Sequence, residues 1–297
     1  MNKKLYWALI VLFSVIFLIS ATFVVKYVIE SYQSREKNEE LQQMHTVPTS
    51  DPNLTLRPAT KPSTEPDTTP PTTNPDDIQP TTQPPTQPTT QPPTEPSSGS
   101  GMLPDLEALY NLNNDVVGYI YIEGTNVNYP VLQRKTQKDY YLYRDFYGDD
   151  DRHGSIYVRE ACDVFRPSDN VTIYGHNMAD ATMFAHLHRY KDADYFKANP
   201  IIYFDTLYER HVYQIVCVFR TSGTYGEGFP FHLYDNFKDE AEFNEFIKGI
   251  RKKSSKVDVI HDSGIAVEYG DKFICLSTCE DWPIKNGRLV LVAVRIS

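Results

Sequence analysis

The chain has 297 residues and a formal net charge of −10, so it is too long for one small domain and carries no basic footprint that would seat a nucleic acid. Charge and composition divide it before any fold argument: about +1 over residues 1–46, about −4 over 47–101 and about −7 over 102–297. Only the last part, near 195 residues with all four cysteines, has the apolar content to bury a core of its own.

After a cytoplasmic tail at residues 1–4, Leu5 to Val25 runs 21 residues without a charge behind Lys3 and Lys4. At roughly 1.5 Å per residue this crosses a hydrocarbon layer of about 30 Å, and the basic flank keeps the amino terminus inside. No small-x-small cleavage site closes the run, which favours an uncleaved anchor over a signal peptide. Residues 26–46 are polar and helix-prone, a short stalk. Residues 47–101 are rich in Pro, Thr and Gln, with 15 of the chain's 21 prolines. Such a tract cannot offset its ordering entropy, so it is expected to be a disordered spacer, reaching on the order of 150 Å in polyproline II. Neither anchor nor spacer is expected to pack on the domain that follows.

In residues 102–297 the apolar spacing of Leu103 to Leu112 predicts a helix. Short β-type runs follow at Val117–Ile122, Val127–Leu132, Ser155–Val158 and Val171–Tyr174. Ala181 to Tyr190 reads as a helix with Met183, Phe184 and Leu187 on one stripe. Ile201–Phe204 and Val212–Arg220 read as strands, and Lys238–Lys253 as a helix with Phe243, Phe246, Ile247 and Ile250 inward. Phe273–Thr278 and Leu289–Val294 close the domain as a strand pair. Many short strands with few helices between them predict a mainly β, closed or nearly closed barrel with helices added.

Cys279 ends the first strand of that pair and Arg288 opens the second, so a hairpin would bring thiol and guanidinium to one rim. A thiol with an ordinary pKa near 8.5 needs a base or a cation beside it to act as a nucleophile at neutral pH. Of His153, His176, His186, His188, His211, His232 and His261, only His176 is placed like Cys279, directly after a strand and behind Gly175. Cys275 cannot pair with Cys279 along one strand, their Cα atoms being roughly 13 Å apart against a disulfide limit near 7 Å. Cys162 and Cys217 read as core residues. His186 and His188 share no helical face and no metal motif accompanies them, so no metal or other cofactor is expected. Asp149, Asp150 and Asp151 read as a solvated acidic loop, Gly223–Gly228 as a mobile connection, and Asn170 as a sequon buried at the start of a strand.

These residues resemble the sortases, membrane-anchored cysteine transpeptidases of Gram-positive bacteria, and class B in particular. VVGYIYIEGTNVNYPVLQ, GSIYV, YGHNMADATMF, LSTC and the Arg288 of GRLVLVAV occur in the family's order, through nearly all of the domain and none of the spacer. The resemblance implies an eight-stranded sortase barrel with Cys279 as nucleophile, His176 as general acid and base, and Arg288 holding substrate and oxyanion. It implies Leu142, Ser277, Thr278 and Glu280 along the substrate groove. It further implies cleavage of a carboxy-terminal sorting motif after Thr, and transfer to an amine of a peptidoglycan precursor or a pilin, outside the cell. Two features depart from the family pattern: Cys275 opens the usual T-L-x-T-C, and in the N-x-x-Y-L region, QKDYYL here, Gln137 looks to replace the asparagine often found there. A cysteine peptidase on the same scaffold, or a stalked module that only binds, are the alternative readings.

Overall fold

The computed structural model describes residues 3–47, 54–59 and 101–297. The remainder of the Pro/Thr-rich tract lies outside the described residues. The elements, in chain order, are α1 (Lys3–Gln43), α2 (Pro104–Leu112), β1 (Val116–Tyr121), β2 (Asn128–Leu132), β3 (Ile156–Val158), β4 (Asn170–Tyr174), α3 (Ala193–Ala198), β5 (Ile201–Thr206), β6 (Val212–Ser222), α4 (Glu240–Arg251), β7 (Asp258–Asp262), β8 (Phe273–Cys279) and β9 (Gly287–Arg295).

Eight of the nine strands close on themselves in the order β5-β1-β2-β3-β4-β8-β9-β6, with β6 returning to β5. The closure depends on the length of β6. Its first residues pair with β5, at Gln214 opposite Ile201, and beyond a bulge its second half gives the same edge to β7, at Phe219 opposite Val259. Strand β7 escapes the sequence reading because Asp258, His261 and Asp262 dilute its apolar alternation.

Period-two alternation sorts β8 and β9 between two cores. Ile274, Leu276, Leu289, Leu291 and Ala293 fill the barrel. Phe273, Cys275, Val290, Val292 and Val294 face outward under Phe243, Phe246 and Ile250 of α4. That helix starts where Asp239 accepts from the backbone N–H of Glu242, satisfying one of the otherwise orphaned first-turn donors. Helix α2, with Pro at its first position, buries Leu106 and Leu109 beside Tyr119 and Leu132.

The expected helix over Ala181–Tyr190 is displaced. Ala181 and Met183 have φ of 64° and 55°, a left-handed conformation that a continuing right-handed helix does not allow. The chain turns there and resumes as a 3₁₀ segment over Ala185–Lys191.

The amino-terminal region departs furthest from expectation. Helix α1 contains no Gly or Pro and runs unbroken for 41 residues, about 60 Å. Its apolar first half is exposed, while its second half docks on the domain. Arg35 donates to the Asp180 carbonyl, Lys37 pairs with Asp145, and Leu41 is 1% exposed in the α2 cluster. Just past the helix the His45 ring stacks on Tyr119 at 3.7 Å. Residues 54–59, expected to belong wholly to the spacer, dock as well. Arg57 forms a bidentate pair with Asp271 at 2.6 and 2.8 Å and exchanges two hydrogen bonds with the Gln214 side chain, and Ala59 bridges Ile265. Polar composition says that a segment has no core of its own, and says nothing of a neighbour's edge that it can pair with.

Candidate active site

The site is built by strand register at one end of the barrel. Antiparallel pairing sets Cys279 directly opposite Arg288. Parallel pairing sets Tyr174 of β4 beside Ser277 of β8, and the Gly175 N–H donates to the Ser277 carbonyl at 3.2 Å. His176 and Cys279 each lie two residues beyond that pair, so the register carries both to the same height. The Asn177 side chain then crosses to the Cys279 carbonyl at 3.3 Å. Gly175 is needed for space: a Cβ there would lie 2.5 Å from Ile156 and 2.7 Å from Phe184.

Cys279 is the half-exposed thiol of the four, the other three being buried. Burial pushes the Cys162 thiol up to about 12 and raises those of Cys217 and Cys275 as well. These three stay protonated and shielded, as core residues.

The His176 Nε2 lies 2.7 Å from the Leu142 carbonyl. A carbonyl only accepts, so Nε2 carries the hydrogen and Nδ1 is the free basic nitrogen. The ring also lies 5.4 Å from that of Tyr143. Burial holds the His176 pKa below its ordinary value; the Leu142 carbonyl opposes that, while the charges of His153 and Arg288 add to it.

Arg288 donates through Nη1 to the Asn286 and Gly287 carbonyls at 3.3 and 3.0 Å. Among the described residues no carboxylate pairs with it, so its other donors remain for a ligand. Its guanidinium carbon lies 3.0 Å from where a Cβ on Gly223 would sit. Gly223, the first residue of the Gly223–Gly228 segment expected to be a mobile connection, thus forms one wall of the arginine's slot.

Of the four expected groove residues, Leu142 stands at the rim with its carbonyl on His176. Ser277 and Thr278 are each 2% exposed, and among the described residues their hydroxyls have no hydrogen-bond partner. The structure therefore places them inside β8 and not on an open groove. Glu280 is 6% exposed, with Lys191 Nζ at 2.7 Å and Arg220 Nε at 2.9 Å on its two oxygens. Its carboxylate is committed to the protein and is unavailable to a ligand in this arrangement.

Sequence reasoning missed Asn177 and His188, which both donate to the Cys279 carbonyl. It also misread Asp151. That carboxylate accepts from His153, while Asp149 and Asp150 are exposed as expected. No periodicity marks these residues. The sequence signal was limited to Asn177, which directly follows His176.

A model of the sortase domain matches residues 120–296. Sortase B of Staphylococcus aureus (strain NCTC 8325 / PS 47) is 31% identical over 193 residues, covering 65% of this chain and 75% of that protein. Among solved structures, sortase B from B. anthracis in complex with AAEK1 has a TM-score of 0.63 at 25% identity, covering 91% of this chain and 99% of that one. The Staphylococcus aureus sortase B–substrate complex has a TM-score of 0.58 at 30% identity, covering 66% and 87%. With a closed eight-stranded barrel and one half-exposed cysteine at its rim, the chain belongs to the sortase family of cysteine transpeptidases, and within it to class B.

Proposed function

We propose that Cys279 is the nucleophile, His176 the proton-transfer group through Nδ1, and Arg288 the cation that holds the substrate and the developing oxyanion. The observation that carries this reading is the register that sets Cys279 opposite Arg288 and level with His176. The thiolate attacks the Thr carbonyl of a carboxy-terminal sorting motif, and imidazolium protonates the leaving amide nitrogen as the C–N bond breaks. The resulting thioester is attacked by an amine, whose proton passes to His176 as the thiolate leaves. The guanidinium offers a planar fork of donors to the oxyanion, which a lysine does not reproduce. The acceptor amine belongs to a peptidoglycan precursor or a pilin. Leu142 lines the substrate groove, with Ser277, Thr278 and Glu280 supporting the strand end behind it.

The apolar half of α1 is long and apolar enough to cross a membrane, and we read it as a single-pass anchor with the catalytic domain outside. The Tyr27 ring, two residues past the apolar run, lies 4.5 Å from the Arg152 guanidinium. On this reading the domain rests at the membrane surface, and residues 60–100 join two docked segments. They do not act as a tether that sets the distance.

The test is incubation of the domain with peptides carrying Asn-Pro-x-Thr and Leu-Pro-x-Thr type motifs, with and without amines, following products by mass. Expected are an acyl adduct on Cys279, cleavage after Thr, and diversion from slow hydrolysis to amide product as amine is added. Cys279→Ala should leave the circular dichroism unchanged and remove adduct and product. Retained cleavage would reject the nucleophile, and fast hydrolysis that amine does not divert would favour a peptidase.

A further inference from the structure

His153 is buried between two carboxylates on different segments, one of which carries His176. Its Nδ1 lies 3.0 Å from Asp151 Oδ1 and its Nε2 3.0 Å from Asp180 Oδ2, while its side chain is 1% exposed. A carboxylate at each nitrogen makes both nitrogens donors, so the ring sits there as an imidazolium.

Each arm leads to His176. Asp180 is four residues beyond it, in a loop closed at its base by the Phe184 N–H on the His176 carbonyl at 2.9 Å and by the bridge between Asn177 and Met183. Inside that loop Asp180 Oδ1 accepts from the Thr182 hydroxyl at 2.6 Å, so one carboxylate fixes both the turn and its contact with His153. On the other arm, the residue after His153 is Gly154, with φ of 59° and an imaginary Cβ only 2.3 Å from the Leu142 carbonyl oxygen. That carbonyl accepts the His176 Nε2 hydrogen. The segment that orients the imidazole and the loop that carries it are thus joined through one buried ring.

We propose that His153 is a positioning residue for His176, clamping the 176–184 loop against the 142–154 segment so that Nδ1 of His176 is held toward Cys279. The inference rests on the reading of His176 as the proton-transfer group. A histidine in this place is suited to the task because it alone offers two opposed N–H donors on a rigid ring, one to each carboxylate.

The charged groups around the clamp are Asp151 and Asp180 in contact, His176 across the loop, Arg35 on α1 at the Asp180 carbonyl, and Lys37 on α1, which feels Asp151. Burial alone would lower the His153 pKa, but the hydrogen bonds and charges of Asp151 and Asp180 outweigh it and raise it. The clamp is therefore at full strength below the ordinary value near 6.5, and it loosens as pH rises through the raised one. The His153 charge in turn lowers the pKa of His176. Thiolate and imidazolium must coexist for the reaction, and because the ordinary values of a thiol and an imidazole favour the neutral pair, it is the more acidic group, the imidazolium of His176, that sets the acid limb of kcat/KM.

The experiment compares the wild type with His153→Gln, His153→Lys, Asp180→Asn and His176→Ala, measuring kcat and KM on a turned-over sorting peptide, the pH profile of kcat/KM, and thermal unfolding against pH. His153→Gln should lower kcat by about 10- to 100-fold, the scale of a displaced catalytic group, with little change in KM and with the acid limb moved to higher pH. His153→Lys, which returns a cation between the carboxylates, should restore the position of the limb and part of kcat. Asp180→Asn should lower kcat in the same direction with circular dichroism unchanged, and it carries the test if His153→Gln does not fold. A drop in unfolding temperature with kcat and the acid limb unmoved in these variants would make His153 a structural residue only and overturn the proposal. An acid limb that survives in His176→Ala overturns the assignment of His176 itself, whatever the His153 variants do.

Discussion

The β8–β9 hairpin within the barrel and the amino-terminal residues 26–47 and 54–59 held against it are placed by different means. The hairpin is placed by backbone pairing and period-two alternation, so each residue's partner follows from its number: Cys279 meets Arg288 as Ser277 meets Val290. The amino-terminal segment is placed by single side chains reaching distant ones, such as Arg57 to Asp271 and His45 to Tyr119. Regular pairing makes the chemistry precise; scattered contacts make the support. Variants in the first region should therefore act on turnover, and variants in the second on stability.

The largest effect that would break this contrast is at Arg288. Its guanidinium forms no ion pair among the described residues and packs on the Gly223 backbone, so removing it costs the fold little. Arg288→Ala should lower kcat by about 10²- to 10³-fold, the usual loss for an oxyanion donor, and Arg288→Lys should recover only a small part. Thermal unfolding should stay within a degree or two. A large fall in stability with modest loss of kcat would move Arg288 from the chemistry to the scaffold.

This contrast also explains what was legible in the sequence. The strands of the hairpin, the α4 stripe and the triad candidates could be read because alternation, 3.6-residue periodicity and strand-end position are local properties. The Asp151–His153–Asp180 cluster, the His188 contact to the Cys279 carbonyl and the docking of Arg57 could not. Each joins residues 27 or more apart in sequence, apart from the Asp151 arm, and no periodicity marks an isolated polar residue. The pairing of Glu280 was hidden for a related reason. Its position beside Cys279 suggested a groove, while Lys191 and Arg220, which claim its oxygens, arrive from other strands and loops.

The next effect in size tests the support directly. Leu41 lies four turns past the apolar run of α1, buried with Leu106, Leu109 and Tyr119, so Leu41→Ala should cost about 2–5 kcal/mol. For a domain of this size that lowers the unfolding temperature by roughly 5–15 °C. A soluble chain beginning at residue 101 loses Leu41, His45 and Arg57 together and should unfold lower still than one beginning at residue 27. Equal unfolding temperatures for the two truncated chains would show that the docked segment adds nothing, and would restore the expectation that the domain is complete from residue 102.

Glu280 combines the two means of placement, one residue from the nucleophile and yet held by the side chains of Lys191 and Arg220. Glu280→Gln removes the charge that Lys191 and Arg220 share, in a place where those cations are only partly solvated. A loss of about 1–3 kcal/mol is expected, with KM for the sorting peptide unchanged within about twofold and kcat reduced only as far as the Cys279 strand end loosens. A rise in KM with stability intact would return Glu280 to the substrate groove.

The smallest effect is expected from the most conspicuous sequence feature. Residues 60–100 separate Ala59, bridged to Ile265, from Leu103, whose N–H donates to the Leu207 carbonyl at 2.8 Å. If both flanks are docked and α1 brings Arg152 to the end of the membrane span, the length of the tract does not set the height of the active site. Replacing residues 61–99 by about half as many Gly and Ser residues shortens a closed loop, which changes its closure entropy by only about 0.6 kcal/mol for each halving, in the stabilising direction. A flexible linker of about 20 residues still has a root-mean-square span near 25 Å and an extended reach of roughly 65 Å. The full-length variant in vesicles should keep its unfolding temperature within about 2 °C and its turnover of both a soluble sorting peptide and a membrane-inserted sorting protein. Retained turnover of the peptide with loss of the membrane-inserted substrate would show that the tract sets the reach of the enzyme after all, and that the docking of residues 26–47 and 54–59 opens when the enzyme works at the membrane.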